Sequence, residues 1–264
     1  MLIVVCIKQV PDTTEVKVDQ ATGTLVREGV PAVMNPFDQF ALEEGVRLRE
    51  AAGEGAEVVA LSMGPPQARS ALMKALALGA DRAILLTDKA FAGADTWATS
   101  YTLAMAVQTL GKPDLIMCGL QAIDGDAAQT GPEIAQHLHL PQVTYAEKVT
   151  IDGKKLTVKR QTDSGYEIVE VRVPALVTCT PPTDFVPSTP PFSAISKAKK
   201  KPYEEWGADR INADAGKLGL KGSPTQVKRV FSPPKRDGGV MLEGTSAASV
   251  AGALFQVLAK KGVV

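Results

Sequence analysis

Residues 2–7 read Leu2-Ile3-Val4-Val5-Cys6-Ile7, a short, unbroken apolar run that is rich in β-branched side chains. A run of this kind is typical of a strand that is covered on both of its faces. Three more runs follow the same pattern at residues 58–62, 83–86 and 115–118. Because helical patterns lie between these runs, their order predicts a parallel sheet with right-handed crossover connections.

The helical patterns consist of apolar and small residues that recur at intervals of three and four. They comprise Ala41, Gly45, Leu48 and Ala52, then Ala68, Ala71, Leu72, Ala75, Leu76 and Gly79, then Trp97, Tyr101, Ala104, Met105 and Gln108. Strands and helices in this order predict a doubly wound α/β unit that extends to about residue 145.

Beyond residue 145 the pattern changes to short antiparallel strands. Residues 149–151 and 156–158 flank Asp152-Gly153, a dipeptide that favours a tight hairpin turn. Ser164-Gly165 supplies a second turn before an apolar, alternating stretch at residues 166–173. We therefore predict an antiparallel meander, followed by one more buried strand at residues 175–178.

The last third of the chain has little regular pattern. Five prolines between residues 181 and 191 exclude regular sheet or helix there, and a helical pattern returns only at residues 246–260. A lone helix after a long irregular stretch has little core of its own. We predict one domain over residues 1–185 and an extended C-terminal arm over residues 186–264 that packs on another body.

The composition excludes several classes of protein. With 29 basic and 29 acidic residues among 264, the net charge is zero, and aromatic residues make up 5%, so a dedicated nucleic-acid binder is disfavoured. No apolar run approaches the roughly 18–20 residues that cross a bilayer, and the first residues lack a signal-peptide layout. Cys6, Cys118 and Cys179 form no CxxC pair. We expect them to be reduced and buried in a cytoplasmic protein.

The most informative stretch is residues 118–131, CGLQAIDGDAAQTG, which leaves a predicted strand and leads into a helix. Ligands of open α/β sheets bind at this edge, and free N–H groups at a helix start can hold a phosphate. Asp124 and Asp126 would repel a phosphate but could accept hydrogen bonds from ribose hydroxyls. Helix capping by Asp126 is an equally good interpretation, and a Mg²⁺ site a weaker one.

Other features have simple structural explanations. In residues 34–38, MNPFD, Asn35 fits an N-cap, Pro36 the first helical position and Asp38 the favourable end of the helix dipole, whereas an exposed Phe37 would form a contact surface. Residues 62–66 fit a plain strand-to-helix loop. His137 and His139 diverge on a helix, so we predict no metal site.

Neither a phosphate-binding lysine loop nor a GxGxxG motif follows a strand, and there is no paired nucleophile and base, so we predict no catalytic residue. A self-sufficient NAD dehydrogenase is therefore disfavoured, whereas a stand-alone adenine-nucleotide sensor stays open. The lysines between residues 197 and 201 form either a solvated face or a docking surface for an acidic partner.

Several stretches, taken in chain order, match a known family. They are residues 5–13 (VCIKQVPDT), 34–38 (MNPFD) with the helix at 41–48, 121–126 (QAIDGD), 129–131 (QTG), 158–169 (VKRQTDSGYEIV), 174–178 (PALVT) and 197–201 (KAKKK). Together they resemble the β subunit of electron transfer flavoprotein over the whole chain. Ser164 departs from the family signature, at a position that lies in a turn.

This resemblance implies a Rossmann-like fold of the adenine-nucleotide-hydrolase type and a heterodimer with an α subunit that holds most of one FAD site. It also implies a nucleotide site in the β subunit, filled by AMP in ordinary members and by a second FAD in electron-bifurcating members. The positions it assigns to that site are Cys6, Asn35, Asp38, Met63, Gly119, Gln121, Ala122, Asp124, Gly125, Asp126, Ala127, Gln129 and Thr130. It places Thr13 and Phe37 near the α-subunit flavin, and partner recognition at Phe192, Ile195, Lys197, Lys199, Lys200 and Lys201.

Two features favour the bifurcating branch of the family. Gly125 stands where AMP-binding members often have a further aspartate, and residues 11–13 (PDT) resemble the bifurcating group. Loss of an acid leaves more space and less repulsion for a diphosphate. This branch implies NADH as donor, with one electron passing through the α-subunit flavin to an acyl-CoA-type dehydrogenase or other acceptor and the other to ferredoxin or flavodoxin.

Overall fold

A computed structural model describes residues 1–12, 31–228 and 238–264, so Thr13 lies outside the described residues. The strands are β1 Leu2–Cys6, β2 Gln9–Pro11, β3 Ala32–Met34, β4 Glu57–Met63, β5 Arg82–Leu86, β6 Leu115–Gly119, β7 Gln142–Asp152, β8 Lys155–Thr162, β9 Gly165–Arg172, β10 Ala175–Cys179 and β11 Tyr203–Trp206. The helices are α1 Pro36–Ala52, α2 Arg69–Leu78, α3 Thr96–Leu110, α4 Thr130–Leu138, α5 Phe192–Ala198, α6 Gly219–Gly222 and α7 Ala247–Lys260. The strands and helices predicted in the first 145 residues are thereby confirmed.

A nine-stranded sheet with the order β11-β5-β4-β1-β6-β10-β7-β8-β9 forms the body of the protein. Its neighbours from β11 to β7 pair in parallel, whereas β7, β8 and β9 form the predicted antiparallel meander. Strands β2 and β3 form a separate antiparallel pair. The doubly wound, mostly parallel α/β fold with an antiparallel meander is therefore confirmed.

Side chains of β1 alternate between the two layers of helices, as the period of a strand requires. Ile3 and Val5 point into the core that α1 and α2 cover, which also contains Leu42 and Leu72. Val4 and Cys6 point into the opposite core with residues of α3 and α4, such as Leu103. Because both faces are covered, β1 is apolar along its whole length.

The two hairpin turns differ by one residue from the predicted positions. Asp152 pairs with Lys155, so the first turn is centred on Gly153-Lys154. Gly153 has a φ of 56°, which suits a tight hairpin turn. Thr162 pairs with Gly165, so the second turn is centred one residue earlier than predicted.

The sheet takes in residues beyond the boundary predicted at 185. Strand β11 pairs in parallel with β5 at the sheet edge, and Trp206 is buried. Ile211 and Leu218 are buried with Trp206 in the core that also contains residues of α3. The sequence concealed this strand because Tyr203-Glu204-Glu205-Trp206 is short, half acidic and preceded by lysines.

Helix α7 forms as predicted, with Ser246 and Ser249 making a capping box at its start. None of its residues is buried, and Leu254, Phe255 and Val257 are exposed. That this helix packs on another body stays a prediction. No helix in the described parts of the chain is long and apolar enough to cross a bilayer.

Candidate functional site

The carboxyl ends of β1 and β6 lie side by side at the point where the strand order reverses. From β1 the chain proceeds through α1 to β4 on one side, and it later returns to place β6 on the other side. Cys6 and Cys118 are register partners across this junction. Ligands of open α/β sheets bind at such a switch point. The predicted stretch at residues 118–131 begins there, and its residues 119–129 are called the nucleotide loop below.

Asp38 joins the three elements that meet at the junction. Its Oδ2 accepts a hydrogen bond from the Lys8 amide at 2.7 Å, and its Oδ1 accepts one from the Gly119 amide at 3.1 Å. A Cβ atom at Gly119 would collide with Asp38, so only glycine permits this close approach. Gly119 therefore serves the packing of α1 against β6, and its predicted contact with a nucleotide stays a prediction.

Burial governs the ionisation of Asp38. The side chain is 6% exposed, and desolvation raises the pKa of its carboxyl from 3.8 to about 7. Hydrogen bonds from Lys8, Asn35 and Gly119 act in the opposite direction and keep the pKa from rising further. Asp38 lies in the first turn of α1, at the favourable end of the helix dipole as predicted, but it is buried there. Its carboxyl group links α1 to Lys8 beyond β1 and to the end of β6.

Asn35 occupies the N-cap position of α1, as predicted, but its side chain makes no capping hydrogen bond. The side-chain Nδ2 donates to the Gln121 carbonyl at 2.8 Å, and Oδ1 accepts from the Ile123 amide at 3.2 Å. Asn35 is 1% exposed, and its carbonyl accepts from the amides at the start of α1. Its side chain is thus used to hold the nucleotide loop against α1.

Lys8 is a site residue that the sequence pattern does not reveal. Its ammonium Nζ lies 2.6 Å from Asp124 Oδ1, and its carbonyl accepts from the Asn35 amide at 2.9 Å. A lysine directly after a strand is usually solvated, so the residue type alone does not indicate that Lys8 belongs to a site. Lys8 lies one residue beyond the predicted strand, at the same sheet edge as the acidic loop. This position is the feature of the sequence that could have indicated a contact between them.

The nucleotide loop is exposed and has an unusual backbone. Asp126 and Ala128 have φ values of 49° and 54°, in the left-handed region that non-glycine residues seldom adopt. Asp126 accepts a hydrogen bond from Gln121 Nε2 at 3.0 Å rather than capping α4. Gln129 occupies the N-cap position of α4 and makes no capping hydrogen bond with its side chain.

Cys6, Met63 and Phe37 are three further predicted residues at or near this edge, and Cys118 lies beside Cys6. Cys6 and Cys118 are buried, and a hydrogen bond with Cys6 together with burial raises the pKa of Cys118 well above its ordinary value. The Cys118 thiol is therefore protonated and unreactive at neutral pH. Met63 ends β4 on the same side of the sheet, and Phe37 is half-buried in the first turn of α1 rather than exposed.

The predicted partner-recognition residues lie on and after α5, away from the nucleotide loop. Phe192 and Ile195 are 85% and 42% exposed, and Lys197, Lys199 and Lys200 are exposed as well. Lys201 differs, because its Nζ donates to the carbonyls of Leu76 and Ala80 near the end of α2, at 3.0 and 2.6 Å. The ammonium of Lys201 is therefore engaged in hydrogen bonds within the chain.

The arrangement at the switch point is suited to a nucleotide. The first turn of α4 is free of a side-chain cap, and a Cβ at Gly125 would meet nothing within 4 Å, so the loop has open space beside it. Lys8 offsets the charge of Asp124. In the described residues no group of three or more His, Cys, Asp or Glu side chains could hold a metal ion.

Comparison with known proteins identifies similar chains. The family described as Electron transfer flavoprotein domain matches residues 22–211. The Caffeyl-CoA reductase-Etf complex subunit CarD of Acetobacterium woodii is 48% identical over 264 residues, which is 100% of both chains. The Electron transfer flavoprotein subunit beta of Clostridium acetobutylicum is 54% identical over 229 residues, or 87% of each chain. Protein FixA of Azorhizobium caulinodans is 43% identical over 99% of this chain and 95% of its own.

Proposed function

The chain belongs to the electron transfer flavoprotein family as a β subunit, and we propose that it binds a nucleotide of its own at the ends of β1 and β6. The bound group is FAD in the version that we favour and AMP in the alternative. The α subunit of the heterodimer would then hold the other FAD. Electron transfer by such a dimer is the general activity that the family membership supports.

The observation that carries the proposal is the set of hydrogen bonds that Asn35 and Asp38 make around the nucleotide loop. These two buried polar side chains at the start of α1 make hydrogen bonds with residues that follow β1, with the end of β6 and with the loop. Buried polar groups cost free energy unless they are paired, so this arrangement fixes one geometry for the loop. A fixed loop above an uncapped helix start is suited to a phosphate and a ribose.

A bound flavin would supply the redox chemistry, and the protein would position it. Asn35 and Asp38 keep the loop in place, while the main-chain N–H groups of Thr130 and Gly131, which no side chain caps, would face the phosphates. Asp126, which is exposed, would accept hydrogen bonds from ribose hydroxyls. The buried thiols of Cys6 and Cys118 would contribute a wall to the site.

Bifurcation is the finer proposal. Gly125 has nothing within 4 Å of its Cβ direction, so the loop leaves room for the second phosphate of FAD. NADH would be the donor, with ferredoxin or flavodoxin as the low-potential acceptor. A relative named as a subunit of a caffeyl-CoA reductase-Etf complex supports an acyl-CoA-type dehydrogenase or reductase as the other partner. The free buried cysteines fit a cytoplasmic location.

Two surfaces would serve the partners. The exposed apolar face of α7 would pack on the α subunit as the C-terminal arm. Phe37 would approach the α-subunit flavin, as would Thr13, which lies outside the described residues. The exposed Phe192, Ile195 and neighbouring lysines of α5 would meet the redox partner.

The test is the cofactor content of the heterodimer purified from cells that express both subunits. Two flavins and no AMP per dimer are expected for the bifurcating version. One FAD and one AMP per dimer would refute bifurcation, while the proposed nucleotide site in this subunit would still be supported. A colourless chain with an adenine nucleotide and no α subunit would instead support a stand-alone sensor.

A further inference from the structure

Lys8, which follows β1, contacts both the start of α1 and the nucleotide loop. Its amide donates to Asp38 Oδ2 at 2.7 Å, its carbonyl accepts from the Asn35 amide at 2.9 Å, and its Nζ lies 2.6 Å from Asp124 Oδ1. One residue therefore joins the end of β1 to the first turn of α1 and to the loop. Within residues 1–12, 31–228 and 238–264, this is the one ion pair that reaches the loop.

We propose that Lys8 is a positioning residue of the nucleotide site, and that its ion pair with Asp124 holds the loop in the shape that receives a nucleotide. This inference rests on the proposed function, because it concerns the same site. It adds a residue that the family resemblance did not assign, and a contact that controls the affinity of the site.

The loop needs such a contact because its backbone is unfavourable. Asp126 and Ala128 both occupy the left-handed region, and such residues persist only where their surroundings hold them there. Asn35 fixes the loop at Gln121 and Ile123 through main-chain atoms. The Lys8 ion pair fixes it at the next residue, immediately before the strained segment.

The charge of Lys8 serves the same purpose. A nucleotide phosphate adds negative charge beside Asp124 and Asp126, and the ammonium of Lys8 offsets one of these carboxylates. The Lys8 side chain is 48% exposed, so water and salt screen the pair. We therefore expect loss of the pair to weaken nucleotide binding about three- to fivefold, which corresponds to the upper range of exposed ion pairs.

The first test measures the affinity of the full chain for AMP, which is also one half of FAD, by calorimetry after removal of bound nucleotide. Lys8→Met should weaken binding about three- to fivefold at low salt, whereas Lys8→Arg should retain it. Lys112→Met removes the same charge from an exposed lysine just before β6, at the opposite sheet edge, and should change nothing. Equal affinities for Lys8→Met and Lys112→Met would overturn the proposal, as would equal weakening by Lys8→Met and Lys8→Arg.

A double-variant cycle tests whether Lys8 acts through Asp124. If it does, Lys8→Met should have little further effect in an Asp124→Asn background. Additive effects would mean that Lys8 acts directly on the phosphate, and they would overturn the positioning role.

Hydrogen exchange of residues 119–129 without nucleotide tests the ion pair independently of the proposed function. Lys8→Met should speed exchange in this loop, and Lys112→Met should leave it as in the unchanged chain. If the unchanged chain binds no AMP, the proposed function fails, while the exchange rates still decide whether the ion pair holds the loop. Equal exchange rates in both variants would refute the role of the ion pair.

Discussion

Replacement of Asp38 by asparagine is expected to change how the stability of the protein depends on pH. Asp38 is 6% exposed, and burial raises the pKa of its carboxyl to about 7 in the folded chain from an ordinary 3.8. Because the folded pKa is the higher one, the folded state binds the proton more tightly between these values. The resulting stabilisation is fully present below pH 3.8 and is lost as the pH rises through 7.

The size of the effect follows from the two pKa values. A tenfold change in proton affinity corresponds to about 1.4 kcal/mol, so between pH 5 and pH 8 the wild-type chain should lose about 2.5 kcal/mol relative to Asp38→Asn. Asparagine is uncharged throughout this range and has nearly the same shape. Its altered hydrogen bonds to Lys8 and Gly119 change the stability by an amount that does not depend on pH.

The assay is denaturant unfolding of the full chain at pH 5 and pH 8, with the difference between variant and wild type as the measured quantity. Glu147→Gln is a control that should give nearly the same free-energy difference at pH 5 and pH 8, because hydrogen bonds from Gln161 and Lys159 lower the pKa of Glu147 and keep it ionised at both. The destabilisation that it causes should be present above the ordinary pKa of 4.5 and should fade as the pH falls below that value. A free-energy difference for Asp38→Asn that is the same at both pH values would show that burial does not raise this pKa.

Three further predictions concern packing and surfaces. Gly119→Ala should destabilise the chain by about 2 kcal/mol or more in denaturant unfolding, because its Cβ would displace α1; an unchanged midpoint would contradict this. Neutralising Lys199 and Lys200 should slow electron transfer to the redox partner at low salt only. Lys201→Met should instead lower the melting temperature, because the Lys201 ammonium donates to carbonyls of the protein itself. A lower melting temperature for the Lys199 and Lys200 variant, or slower electron transfer without a change in melting temperature for Lys201→Met, would contradict these assignments. Phe255→Asp on the exposed face of α7 should impair assembly with the α subunit, as measured by gel filtration, and an intact heterodimer would remove α7 from the interface.

Most of the fold could be predicted because apolar pattern determines it. The run Ile3-Val4-Val5 is buried on both faces, and a short, β-branched apolar run of this kind is typical of a central parallel strand. Strand β11 could not be predicted in this way, because an edge strand needs only a few buried side chains, and Trp206 is its one fully buried residue. Its place beside β5 depends on tertiary packing that no local pattern records.

The candidate site was predictable in location and less so in its contacts. The loop at residues 119–129 lies at the expected sheet edge because strand ends and turn residues are visible in the sequence. The hydrogen-bonding roles of Asn35 and Asp38 could not be predicted from the sequence. Capping preferences describe a helix end in solvent, whereas here that end is buried against β1 and β6. Lys8 and Lys201 show the same limit, because a lysine that pairs across more than 100 residues looks like any solvated lysine.

The central claim is that the loop after β6 holds a nucleotide that belongs to this subunit. The most direct measurement compares the nucleotides released from the purified heterodimer with those released from an Asp126→Ala heterodimer, using the α-subunit FAD as an internal reference. We expect the variant to retain the α-subunit FAD and to lose much of the second nucleotide, whether that is FAD or AMP. Full occupancy of the second site in the variant, or no second nucleotide in the unchanged heterodimer, would contradict the claim.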